Sequence, residues 1–160
     1  MVKQTGLLVF SLLFLPALTG AQSNCPQGFV YVGNLSGSGS FSEEFNQKKA
    51  LKLPENATLD DSFQQSTVRA ASKKGKTDLR PQDIPKGIVI IPHGTNDHDT
   101  TWSVSEPRLT TIKADETGTA ATRYEFGMRL SCRVQTSPFN QQGGDCYVEV
   151  EVCYKPKPVK

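Results

Sequence analysis

In 160 residues, 18 Lys and Arg side chains nearly balance 16 Asp and Glu, for a formal net charge of +2 at pH 7. A charge so close to zero provides no general steering field for nucleic acid or an anionic membrane, so neither is expected as a partner. The length fits one domain, and the even number of cysteines, four, makes the compartment the first question to settle.

The chain opens with one basic residue, Lys3, then the apolar run Leu7 to Leu15, the helix breaker Pro16 and the small-residue end Thr19-Gly20-Ala21. This is the ordering of a cleavable secretory signal over residues 1–21, since about ten apolar residues fall short of the roughly 20 a spanning helix needs. Cleavage after Ala21 removes one basic group and no acidic one, leaving a net charge of +1. The mature part divides into a single β domain over 22–154 and a Lys/Pro tail over 155–160. No later apolar stretch is long enough to span a membrane, and the mature form is expected outside the cytosol, secreted or periplasmic. In an oxidising compartment Cys25, Cys132, Cys146 and Cys153 form two bridges by default.

Along the mature chain, Phe29 to Val32 reads as a first strand, bounded by Gly28 and Gly33. Gly37-Ser38-Gly39-Ser40 reads as a flexible stretch or a hairpin turn, and Ser42 to Leu53 fits neither strand nor helix period. Thr58 as N-cap, Asp60 and Asp61 in a first turn, Lys73 and Lys74 in a last turn and Gly75 beyond suggest one short helix over 59–74, with an edge strand over 65–71 as the alternative. Lys73, Lys74, Lys76, Arg80 and Lys86 form the densest basic run, which reads as a solvated segment. Ile88 to Ile91 is apolar without interruption, as a strand buried on both faces in the middle of a fold would be. Trp102 to Val104 and Leu109 to Ile112 add two shorter strands.

The last third carries the clearest period. Phe126, Met128, Leu130 and Cys132 alternate with Gly127, Arg129, Ser131 and Arg133; Cys146, Val148, Val150, Val152 and Tyr154 alternate with Tyr147, Glu149, Glu151 and Cys153. Two half-buried strands joined by the turn-rich Ser137 to Gly144 predict a hairpin. In the register that opposes Leu130 with Val148, Arg129 falls opposite Glu149, Arg133 opposite Asp145, and Cys132 opposite Cys146. Cys146 and Cys153 lie too far apart in one extended strand to bond, roughly 23 Å, so Cys132–Cys146 with Cys25–Cys153 is the expected pairing. The fold class that follows is mainly β: an antiparallel β-sandwich, Ig-like or a similar Greek key, stapled by two disulfides. The tail after Tyr154, broken by Pro156 and Pro158, should be extended and solvated.

Candidate chemistry is sparse. His93, Asp97, His98 and Asp99 concentrate possible ligands for zinc or calcium after the Ile88 to Ile91 strand, although the spacing matches no standard motif and the residues are also those of an ordinary turn. No Gly-x-Ser-x-Gly elbow is present, the cysteines are committed to bridges, and Glu149 and Glu151 read as structural. Asn34-Leu35-Ser36 and Asn56-Ala57-Thr58 are glycosylation sequons, usable in a eukaryotic secretory pathway. The expectation is therefore a secreted, non-enzymatic binding or structural module that recognises a surface, a glycan or a protein and needs no cofactor. The alternative is a small metal-binding protein or metal-dependent hydrolase built on the His93 to Asp99 loop.

Overall fold

The computed structural model describes residues 23–40, 43–68, 75–77, 79–95, 99–112, 123–135 and 144–159. The signal segment 1–21 lies outside them, as do Lys73, Lys74, Asp97, His98 and the stretch 136–143. The strands are β1 (Val30–Ser40), β2 (Phe45–Lys52), β3 (Gly75–Thr77), β4 (Ile88–Gly94), β5 (Thr100–Ile112), β6 (Arg123–Val134) and β7 (Asp145–Tyr154), with one 3₁₀ turn at Pro81–Asp83. They form two sheets, in the orders β1-β7-β4 and β2-β6-β5-β3, antiparallel throughout except for the parallel pair β3 and β5. An immunoglobulin constant domain keeps its first, second, fifth and fourth strands in one sheet; the order here differs. Among the described residues no helix is long and apolar enough to cross a membrane.

β6 and β7 do not form the expected hairpin. Each is central in its own sheet, and their apolar sides meet across the core: Phe126, Met128 and Leu130 from one, Val148, Val150 and Val152 from the other, all at most 2% exposed. Period-two patterning says which side of a strand is buried but not whether two apolar sides lie side by side or face to face, and both arrangements satisfy it. Arg129 therefore pairs in register with Lys48 and Ser105, not Glu149. Both expected disulfides are present, Cys25–Cys153 and Cys132–Cys146, each with 5.9 Å between Cα atoms. The second joins β6 to β7 between the sheets, not across a ladder.

The sheets converge at this end, where β1 leads into β2, β4 into β5 and β6 into β7. Close approach explains the Gly-Ser stretch, which is neither linker nor turn but the second half of β1. Its serines point outward, and a Cβ on Gly37 would collide with the Phe45 ring at 2.0 Å. Gly94, at the end of β4, lies against Trp102, whose ring would be 2.7 Å from an added Cβ. Alternation with glycine on the inner side is still strand alternation.

β4 is an edge strand, not a central one, yet Ile88, Val89 and Ile90 are buried. Its free edge is covered by the segment expected to be helical. Over 59–68 that segment forms no helix, and residues 69–74 lie outside the described set. Gln65 uses its side-chain amide as a substitute strand, donating to the Ile90 carbonyl and accepting from the Ile90 N–H at 3.0 Å each. Gln64 donates to the carbonyls of Pro81 and Ile84. Asp60 turns back on Ser62, accepting from its backbone N–H and hydroxyl, a local bond that competes with helix formation. Those bonds, together with Lys155 at 3.5 Å, hold the Asp60 carboxyl below its usual range. The tail is extended as expected but not free: Leu59 bridges Pro156, and Lys157 donates its N–H to the Thr58 carbonyl. The prolines occupy alternate positions, so no N–H needed by this ladder is missing.

Candidate functional site

With both apolar sides turned inward, the odd-numbered residues of β6 and β7 occupy the two opposite outer faces of the molecule. The face of the first sheet carries Asp145, Tyr147, Glu149 and Glu151 from β7, flanked by Asn34, Ser36 and Ser38 on β1 and His93 on β4. No Lys or Arg occupies an outward position on its three strands among the described residues. Two of its three carboxylates, those of Glu149 and Glu151, are satisfied from within. Glu151, only 4% exposed, accepts the Asn24 backbone N–H at 2.6 Å and its side-chain amide at 2.9 Å. That contact, with the Cys25–Cys153 bridge, lays the N-terminal segment over the sheet. Glu149 accepts from the Asn34 amide and the Tyr147 hydroxyl, and lies 3.1 Å from His93 Nε2. Burial first, and the bond to Glu149 second, push the Tyr147 phenol up to about 12.

The outer face of the second sheet has the opposite sign. Lys48 and Lys52 from β2, Arg123, Arg129 and Arg133 from β6 and Arg108 from β5 point outward, with Glu106 and Glu125 the acids among them. Glu106 sits in a bulge where the pairing of β5 slips between Ser105 and Arg108, in the left-handed region at φ 53. A non-glycine residue there is uncommon and strained. The bulge turns its carboxylate onto Lys48 at 3.1 Å and Arg129 at 3.0 Å, and these two bonds hold it below the usual carboxylate range. Arg129 also donates to Asn46, and Arg123 pairs with Glu55 at 2.6 Å. Lys52, Arg108 and Arg133 form no ion pair with any described residue. Between the cations lies a shallow depression of about 210 Å³, floored by Ala50 of β2 and Gly127 of β6, paired positions that present almost no side chain, with Arg108 of β5 at its side.

The ligand cluster expected after β4 comes together only in part. His93 is engaged with Glu149, on the outer face of the first sheet. Asp97 and His98 lie outside the described residues, and the Asp99 carbonyl accepts from the Gln135 N–H. The metal-capable group that the described residues do bring together is Cys25, Glu151 and Cys153, whose sulfurs are bonded to each other and offer no thiolate. Asn34 and Asn56 are both exposed, Asn34 in β1 and Asn56 in a turn at φ 64. Of the basic run, Arg80 is tied to Asp83, whose bonds raise the guanidinium above its ordinary value.

Comparisons with protein-family models, curated proteins and solved structures find no match. The site is read from its own chemistry. The basic face escapes a linear reading because its members are dispersed: Lys48 and Lys52 lie in a segment whose inward positions include Gln47 and Lys49, which hides the alternation. The one available signal, Arg129 and Arg133 on the polar side of a strand, is cancelled on paper when Glu149 and Asp145 are placed opposite them.

Proposed function

We propose that this chain is an exported, non-enzymatic binding module, a two-layer β-sandwich whose second sheet engages an anionic polysaccharide on its outer face. The observation that carries the reading is the segregation of charge: Glu149 and Glu151 on one face closed by internal donors, and cations on the other that include Lys52, Arg108 and Arg133 without counter-ions among the described residues. Arg123, Arg129 and Arg133 follow one strand over about 33 Å at roughly 3.3 Å per residue, a length suited to an extended polymer more than to a small solute. Sulfate or carboxylate groups spaced along a sugar chain meet guanidinium groups through charge-assisted, often bidentate bonds. Two disulfides fit an oxidising compartment, which supports export. The hydroxyls of the face are engaged, Ser103 with Ser131 at 2.7 Å and Thr101 with Arg133, and among the described residues no histidine accompanies them, which fits a binder.

Retention on heparin across a salt gradient tests the reading. The protein should bind at low salt and elute as ionic strength rises, because affinity falls with log salt in proportion to the cations engaged. Arg108→Glu combined with Arg133→Glu should abolish retention. No retention of the folded wild-type protein at low salt, or equal retention of the double variant, overturns it.

A further inference from the structure

Asn34 lies exposed on the carboxylate face, away from the proposed polysaccharide site. In a regular strand residues three apart point to opposite sides. Here the pairing of β1 with β7 slips between Tyr31 and Gly33, one extra residue is accommodated, and Tyr31 and Asn34 come to share a side, opposite Cys153 and Glu151. The Tyr31 hydroxyl donates to Asn34 Oδ1 at 3.0 Å. Tyr31 and Tyr147 are 44% and 41% exposed, and Asn34 lies between them through its bond to Glu149. Ser36, two residues on, completes the acceptor motif.

We propose that Asn34 carries an N-linked glycan whose first sugar packs on the exposed ring of Tyr31. The covalent step needs a lipid-linked oligosaccharide pyrophosphate as donor. The amide nitrogen of Asn34 bonds to the anomeric carbon of the reducing-end N-acetylglucosamine, the bond from that carbon to the pyrophosphate oxygen breaks, the lipid pyrophosphate leaves with the electron pair, and one amide proton passes to the transferase base. One N–H remains on Nδ2, enough to keep the bond to Glu149. The axial C–H groups of the pyranose give the ring face of Tyr31 an apolar partner, while its hydroxyl stays on the Asn34 carbonyl. The bulge thus serves the sequon by moving Tyr31 beside it, which regular alternation forbids.

The inference rests on the export reading, because the donor is met only inside a secretory pathway. The experiment separates the two. The full chain, and in parallel residues 22–160 behind a host leader, is produced in a eukaryotic secretory host, and the mass of the released protein is measured before and after an amidase that removes N-glycans. Glycan in both forms is the expected result; glycan only behind the host leader overturns export and leaves Asn34 standing. Asn34→Gln and Ser36→Ala should each lose one glycan's mass, Ser36→Ala doing so with Asn34 still in place, whereas Asn56→Gln should keep it. Released wild-type protein without sugar on Asn34 overturns the site. Because the amidase leaves an Asp at position 34 beside Glu149, the sugar's contribution is read from Ser36→Ala, which should lower the melting temperature by a few degrees in the wild-type background and far less in the Tyr31→Ala background; equal shifts overturn the packing on Tyr31.

Discussion

β6 and β7 have the same layout, apolar on even positions and charged on odd ones, each at the centre of its sheet, yet their charged sides end up in opposite circumstances. Around Glu149 and Glu151 the neighbouring elements supply Asn24, Asn34 and His93, and β7 adds its own Tyr147. Around Arg129 and Arg133 they supply more cations, Lys48 and Arg108, with Glu106 as the acid that reaches Lys48 and Arg129. The difference lies in the neighbours each strand has, not in the strand itself. The proposed binding role follows this difference: the face whose glutamates are closed by the protein's own side chains is read as structural, and the one rich in cations as the side that meets an anionic partner.

The comparison can be attacked first at the cover over the carboxylate face. Replacing Cys25 and Cys153 with Ser opens a closure of 128 residues and releases the segment that holds Asn24 on Glu151. The loss measured by denaturant unfolding should be about 2–5 kcal/mol, with heparin retention unchanged below the lowered transition. Reduced retention would mean that the two faces are not independent. Next comes the end where the sheets converge: Gly94→Ala drives a methyl into Trp102 and the Tyr147 carbonyl, and overpacking of this kind costs about 1–3 kcal/mol. A variant as stable as wild type would mean that the sheets are not held together as tightly there. The smallest effect is a titration. The folded pKa of Tyr147 lies above its ordinary value of 10.0, at about 12, so its contribution to stability is complete below pH 10 and is lost as pH rises through about 12. Phenolate absorbance should show a late-titrating tyrosine that disappears in Tyr147→Phe. If the phenol lost in that variant is one that titrates near 10, Tyr147 is not sheltered by burial and Glu149.

What was legible before the structure follows from where the information sits. Burial is local, and the inward sides of β6 and β7 could be read residue by residue. The disulfides followed from reach and side, and they hold whether Cys132 and Cys146 meet across a ladder or between sheets. Partnership is not local. Opposing Arg129 with Glu149 looks right for charge, and only the packing of the two sheets against each other separates them. Gly37 and Gly39 carry no apolar side chain, so an inward-facing half-strand resembled a linker. At 59–68 the helix signals were genuine in composition, but Asp60 spends its carboxylate on Ser62 and Gln65 spends its amide on the edge of β4, a use that no period reveals. The uninterrupted apolar run Ile88 to Ile91 suggested a central strand because the element covering its edge has no strand pattern of its own.

The claim that the two charge sets occupy opposite faces is tested most directly by exchanging one charge between them. Arg129→Glu together with Glu149→Arg leaves the net charge at its wild-type value and would preserve an Arg–Glu pair had the two strands formed a hairpin. Heparin retention of this double variant across a salt gradient should fall well below that of the wild type, as for Arg129→Glu alone. Retention equal to the wild type would contradict the account.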